Sequence, residues 1–327
     1  MNVGLQVIVP RDVPLGGPRA MTVRRTLPAK ERSFVGAWCF VDHYGPDDVS
    51  ATGGMDVAPH PHCGLATVSW LFSGEVEHRD SLGTVAMVRP GEVNLMTAGR
   101  GISHSEVSTP GTTVLHGAQL WLVLPAASAD VDPRFEHHVP PVVDVGEGAR
   151  AQVFVGSLWG STSPVVVESP LVGAEVVLEP GAAVSVPVPR GFETAVLVDS
   201  GAVTLDGTDV ARAELVVAPA RDHDGSVLLA AGPQGARVLV LGGEPLGEEV
   251  VMWWNFIGRS HEEVVAAREA WEAGAAAAQA ARFGRVEGYE GEVERIPAPA
   301  IPGVRLRPRG NREGRSGFAG AEAPPMS

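Results

Sequence analysis

Two short clusters of histidine and glutamate are the residues of this chain best suited to chemistry. The first holds His60 and His62, and the second holds His104 and Glu106, about forty residues further on. Side chains i and i+2 of a β-strand point to one face, so each cluster can aim two donors at one point. Three imidazoles and one carboxylate suit a divalent transition metal (Fe(II), Mn, Ni, Cu or Zn) better than Ca or Mg. On an octahedral ion this set leaves two positions open, enough for a substrate with two oxygens or for substrate plus dioxygen.

Either cluster alone would be weak evidence for a metal site, because a His-x-His pair also occurs on solvated hairpins. The elements around the two clusters strengthen the metal hypothesis. Residues 1–125 consist of short apolar or alternating runs, such as LATVSWLF at 65–72, divided by Gly and Pro. The chain holds 40 Gly and 27 Pro, which favours many short strands joined by turns over a helical bundle. Residues 126–150 are polar and contain prolines, and we expect them to form an interdomain linker.

The strand pattern is repeated in the second half of the chain. Residues 64–76 and 191–203 share Gly, Thr, Ser, Gly and Val at a constant offset of 127, a domain length. We therefore predict an all-β fold of two β-sandwich or jelly-roll domains, at 1–125 and 151–249. At this offset His60 falls on Pro187 and His62 on Pro189, and no His-x-Glu follows. The sequence thus predicts one metal site, in the first domain.

The last region, 250–312, differs in character and is expected to be a C-terminal extension. A capping-box pattern begins at Ser260, and the alanine-rich segment behind it predicts a helix over about 261–283. Proline-rich residues 296–303 must be extended, and residues 313–327 are expected to be a disordered tail.

Charge and composition exclude several classes of function. The net charge of −14 argues against direct binding of nucleic acid. A single lysine, Lys30, leaves little room for Schiff-base or phosphate-loop chemistry. The sequence has no signal peptide, no apolar run long enough to cross a membrane and only two cysteines, so we expect a cytoplasmic protein.

Two segments, PHPHCGLATVSWLFSGEVEHRDSLG at 59–83 and VRPGEVNLMTAGRGISHSE at 88–106, closely resemble the pirin family of the cupin superfamily. VDHYGP at 41–46 and HGAQLWLVLP at 116–125 support the resemblance. It implies two cupin domains packed face to face, the second one degenerate. It also implies one metal, iron above the other candidates, held by His60, His62, His104 and Glu106.

The chain departs from the family pattern directly after His62. Pirins commonly continue with Arg-Gly-Phe-Glu-Thr, whereas this chain has Cys63 and, three residues later, Ala66. The charged Arg and Glu of the family pattern are therefore missing beside the site, together with any substrate contact that they make. Cys63 should face away from the metal as a packed thiol, or else serve as an oxidisable thiol near it. His43 is a candidate for the mouth of the pocket, whereas we expect His78 to lie in a turn.

Two functions follow from the resemblance. The first is a quercetinase-like dioxygenase that acts on a small flavonol, catechol or enediol-type substrate, with Glu106 as ligand and base. The second is a non-catalytic, iron-dependent regulator whose redox state controls the binding of a protein partner. A weaker third alternative is a metal-dependent isomerase or another cupin reaction. A monomer is compatible with each of them.

Overall fold

The computed structural model describes residues 4–15, 21–274 and 282–311. These residues are mainly β-strands, as predicted, and one helix follows them near the C-terminus. In chain order the first twelve strands are β1 (Gln6–Ile8), β2 (Arg11–Leu15), β3 (Met21–Leu27), β4 (Trp38–Asp48), β5 (Asp56–His62), β6 (Leu65–Ser73), β7 (Val76–Asp80), β8 (Val85–Val88), β9 (Val93–Thr97), β10 (Ile102–Ser108), β11 (Val114–Val123) and β12 (Arg134–His138).

The remaining elements follow a short 3-10 helix at Ala126–Ser128. They are β13 (Val142–Gly146), β14 (Ala149–Val155), β15 (Ser157–Leu158), β16 (Ser161–Thr162), β17 (Leu171–Leu178), β18 (Ala183–Val188), β19 (Glu193–Leu205), β20 (Thr208–Val210), β21 (Leu215–Ala218), β22 (Gly225–Gly243), β23 (Val251–Trp253), β24 (Phe256–Gly258) and the helix α1 (His261–Gly274). No helix of the described residues is long and apolar enough to cross a membrane.

The two halves of the chain repeat one topology. The first domain has a seven-stranded sheet in the order β12-β9-β6-β11-β4-β3-β2 and a smaller sheet in the order β5-β10-β7-β8. The main path of the second sheet runs β1-β21-β19-β22-β17-β14-β13, which matches the first order position by position. The central strands β6 and β19 carry the segments that share residues at an offset of 127. The sequence repeat therefore reflects a repeated fold.

One edge strand of each large sheet lies outside the sequence range of its own domain. β1, at the start of the chain, pairs antiparallel with β21 in the second domain. β12 follows the first domain and pairs antiparallel with β9 at the same position of the first sheet. The segment 126–150, expected to be a linker, thus contains β12 of one sheet and β13 of the other. Periodicity had not suggested strands there because both are short and half exposed.

The large sheets of the two domains pack against each other through a shared apolar core. Trp70 of β6 stacks on Phe154 of β14 with ring centroids 4.6 Å apart. Trp38 lies edge-on to the same ring and donates from its indole Nε1 to the carbonyl oxygen of Gly242 at 3.2 Å. Both tryptophans are fully buried, so the domain interface has the character of a protein interior.

The C-terminal extension packs on the first domain beside the end of β5. The backbone N–H of Ile257, in the β23–β24 hairpin, donates to the carbonyl oxygen of Cys63 at 3.0 Å. α1 begins at the predicted capping box, where the Ser260 hydroxyl accepts from the backbone N–H of Glu263. The described part of the helix ends at Gly274, whereas 282–283 form a turn. The predicted helix over 275–281 and the predicted disordered tail at 313–327 lie outside the described residues.

Candidate metal centre

Strands β5 and β10 of the smaller sheet bring the predicted ligands together. The two strands pair antiparallel, with His104 directly opposite His60. His62 lies two residues along β5 and shares the face of His60. Between His104 and Glu106 the register shifts, so that Glu106 lies opposite Val57. Such a bulge changes the direction of the side chain that follows it, here the carboxylate.

Three imidazoles meet in the interior of the first domain. One ring nitrogen from each of His60, His62 and His104 lies within 4.8 Å of the other two. The Nε2 atoms of His62 and His104 are 3.0 Å apart. Two nitrogens bound at right angles to one ion at about 2.1 Å would be separated by about 3.0 Å. The spacing of the two rings therefore fits a shared transition-metal ion.

Burial keeps these three rings neutral, the form that binds metals. Desolvation lowers the pKa of His60 to about 4 and lowers those of His62 and His104 well below the usual value. Nδ1 of His60 donates to the carbonyl oxygen of Ala58 at 2.9 Å, which leaves its Nε2 with a free lone pair. The donor set and its protonation thus suit a divalent transition metal.

Glu106 adjoins the three histidines without joining their group. Its carboxylate lies within 4.8 Å of nitrogen atoms of His104 and His78, so His104 links the two groups. The side chain is buried, and desolvation raises its pKa despite a hydrogen bond from Ser69 at 3.2 Å. The expectation of four side chains on one point is therefore met by three, with the carboxylate next to them.

His78 is a member of the site that the sequence analysis missed. It was expected in a turn, but it lies on β7 with only 3 % of its surface exposed. Its Nδ1 is 3.3 Å from Nδ1 of His104. Its ring also stacks on Phe135 with centroids 4.7 Å apart. The alternation of Val76, His78 and Asp80 along one buried face was the signal available in the sequence.

Cys63 points away from the histidines, as alternation along the strand predicts. It is 2 % exposed and packs with Phe256 and Val264 of the C-terminal extension. Desolvation raises the pKa of its thiol to about 11, so the thiolate needed for oxidation is scarce at neutral pH. The thiol lines a cavity of about 450 Å³ between the first domain and the extension. These contacts favour the packed-thiol interpretation.

His43 does not lie at a pocket mouth but belongs to a second, fully buried cluster between the domains. Its Nε2 and that of His116 lie 2.8 and 2.5 Å from Oδ1 of Asp199, which is on the second domain. Arg237 binds the other carboxylate oxygen at 2.7 Å. Burial favours a higher pKa for Asp199, but the hydrogen bonds from His116, His43 and Arg237 outweigh it and hold the pKa well below its usual range.

This second cluster is an ion-pair network and not a metal site. Nε of Arg24 donates to Nδ1 of His43 at 3.3 Å, so the hydrogen of the neutral ring is on Nε2 and points to Asp199. A metal on Nε2 would move that hydrogen to Nδ1, directly against the Arg24 donor. Among the described residues no group of potential ligands lies wholly in the second domain.

The second domain fills its interior with apolar side chains instead. Val184, Val186 and Val188 of β18 point into its core. Pro187 and Pro189, the partners of His60 and His62 at the offset of 127, are exposed. The second domain therefore has an apolar core of its own but no histidines at the positions equivalent to His60 and His62.

Comparison with known proteins agrees with this architecture. The sequence profile described as Pirin matches residues 20–122, and that described as Pirin C-terminal cupin domain matches residues 173–277. A Pseudomonas aeruginosa protein named "putative quercetin 2,3-dioxygenase" is 42% identical over 298 residues, 91% of each chain. A Caulobacter vibrioides protein named "pirin-like protein" is 37% identical over 77% of this chain and 88% of its own.

The agreement extends to three dimensions. A crystal structure of a quercetin 2,3-dioxygenase from Acinetobacter baumannii matches with a TM-score of 0.84 and 36% identity, covering 94% of this chain and 98% of that one. The similarity thus includes both β-domains, and these are cupin domains. With a relative of 42% identity along nine-tenths of its length and both profiles matched, this protein belongs to the pirin family.

Proposed function

We propose that this protein is a metal-dependent dioxygenase that opens the ring of a flavonol or catechol-like substrate, with Fe(II) favoured over Mn, Ni, Cu and Zn. The observation that carries the proposal is the group of three buried, neutral imidazoles with a buried carboxylate beside it. The name of the Acinetobacter baumannii relative supports the substrate class.

In this proposal His60, His62, His104 and Glu106 hold the ion. When bound, the ion would supply a Lewis acid for two adjacent substrate oxygens and a path for electrons to dioxygen. The imidazoles need not lose protons to bind at neutral pH, because burial already keeps them neutral. Residues around them exclude water, since all four side chains are less than a tenth exposed.

Glu106 is the proposed base. Desolvation raises the pKa of its carboxyl, which makes the carboxylate a better acceptor for the proton of a substrate hydroxyl than an exposed glutamate. The hydroxyl of Ser69 donates to its Oε1 at 3.2 Å and so restricts the orientation of the group.

The test is anaerobic loading with Fe(II), metal analysis, and oxygen consumption with quercetin. We expect one ion per chain and turnover above that of free iron. Glu106→Gln should lower turnover about 10²–10⁴-fold, the usual contribution of a general base. His62→Ala should lose the metal. The matched control is His223→Ala, whose imidazole is 68% exposed and far from the ligand strands in sequence.

Two results would contradict the proposal in different ways. Stoichiometric iron without turnover above free iron would exclude flavonol dioxygenase activity, and the redox-dependent regulator would then be tested by partner capture with both iron states. Retention of iron by His62→Ala would exclude the ligand assignment itself.

A further inference from the structure

His78 and Asp80 continue the hydrogen-bonded path that starts at His104. Nδ1 of His104 is 3.3 Å from Nδ1 of His78, and Nε2 of His78 is 3.3 Å from Oδ2 of Asp80. The other oxygen of Asp80 accepts from the backbone N–H groups of Leu82 at 2.8 Å and Thr84 at 3.1 Å. The path therefore ends on a carboxylate that the following turn holds in place.

The hydrogens along this path can be assigned without conflict. Both oxygens of Asp80 can only accept when it is ionised, so Nε2 of His78 donates to Oδ2. Nδ1 of a neutral His78 is then an acceptor, and Nδ1 of His104 must be the donor. His104 consequently presents a lone pair on Nε2, the nitrogen that faces His62.

We propose that His78, anchored by Asp80, positions His104 by accepting the hydrogen of its Nδ1 and so fixes the tautomer that binds metal through Nε2. The inference rests on the proposed ligand role of His104. Metal-bound histidines commonly donate their second N–H to such an acceptor, and loss of the acceptor typically weakens metal binding 10–100-fold. His78 is thus a positioning residue, acting through His104.

The register of the sheet shows why His78 is suited to this role. On the paired strands β7 and β10, His78 lies opposite Glu106 and Asp80 lies opposite His104. His78 reaches His104 diagonally, and its ring is fixed on the other side by stacking on Phe135. His78, Asp80 and His104 are each at most 3 % exposed, so water does not compete for these hydrogen bonds.

Two variants of His78 separate hydrogen bonding from packing. His78→Asn keeps an amide oxygen close to the position of Nδ1, whereas His78→Phe keeps a ring against Phe135 but accepts no hydrogen bond. Zn(II) affinity is measured by competition with a chromophoric chelator, and the stability of the metal-free proteins by urea unfolding. We expect His78→Phe to bind Zn(II) 10–100-fold more weakly than the wild type and His78→Asn to remain within a few-fold of it.

NMR provides a readout that a purely structural role would not move. In the Zn(II)-loaded protein we expect a slowly exchanging Nδ1–H of His104, and this signal should be lost in His78→Phe. Equal affinity of His78→Phe and wild type, or equal losses in both variants, would overturn the inference and leave the ligand assignment intact. If the wild type itself fails to bind Zn(II), the proposed function and this inference fail together.

Discussion

The buried histidines should make the metal-free protein less stable in mild acid. Desolvation lowers the pKa of His60 from an ordinary value of 6.5 to about 4. Between these two pH values the unfolded chain binds a proton that the folded chain does not, so stability is present above pH 6.5 and is lost as the pH falls. For His60 alone, the loss between pH 7 and pH 5 is about 2 kcal/mol. The shifts of His62 and His104 have the same direction and increase it.

The assay is urea unfolding followed by tryptophan fluorescence, with a chelator present, at pH 7 and pH 5. His60→Asn removes the titrating ring while its amide can still donate to the carbonyl oxygen of Ala58. We expect this variant to lose about 2 kcal/mol less than the wild type over the same pH interval. His223→Asn, at an exposed site, is the control and should behave as the wild type. An unchanged pH dependence in His60→Asn would refute the assignment of a buried, neutral His60.

Three further perturbations test other parts of the structure. Asp199→Asn, which removes the charge shared by two histidines and an arginine, should lower the free energy of unfolding by about 3 kcal/mol, whereas the exposed Asp222→Asn should change it little. Gly64→Ala should destabilise by more than about 3 kcal/mol in the same urea assay, because its Cβ would lie 2.1 Å from the carbonyl oxygen of Ile257. Gly83→Ala is the matched control, since Gly83 also has a positive φ but open space around it, and should cost about 1–2 kcal/mol. Addition of a transition metal at 100 times its Kd should raise the free energy of unfolding by about 2.7 kcal/mol, and an unchanged unfolding curve would contradict binding to the folded state.

The fold was largely predictable because the strand pattern is local and occurs twice. Alternation and the residues shared at an offset of 127 were sufficient to predict two β-domains and the location of the ligand strands. The pairing of β1 with β21 and of β12 with β9 could not be predicted, because pairing between distant edge strands leaves no periodic pattern in the sequence.

The sequence was sufficient to predict which residues of the candidate site lie near each other, but not the geometry in which they meet. His60, His62 and His104 were identified from their spacing, because cross-strand pairing brings i and i+2 positions together. The bulge before Glu106 depends on the partner strand and could not be inferred from its own sequence. The contact of His43 with Asp199 joins residues 156 positions apart on different domains, beyond the reach of motif reasoning.

The pairing of β1 with β21 ties the first β-domain, which holds the candidate metal centre, to the second β-domain. Deletion of residues 151–249 would leave β1 without β21, and deletion of residues 1–125 would leave β12 without β9. Either fragment would carry unpaired backbone N–H and C=O groups, and the first-domain fragment would also expose the indoles of Trp38 and Trp70; such surfaces promote aggregation. The second domain therefore covers surfaces that the first domain, which holds the candidate metal centre, would otherwise expose.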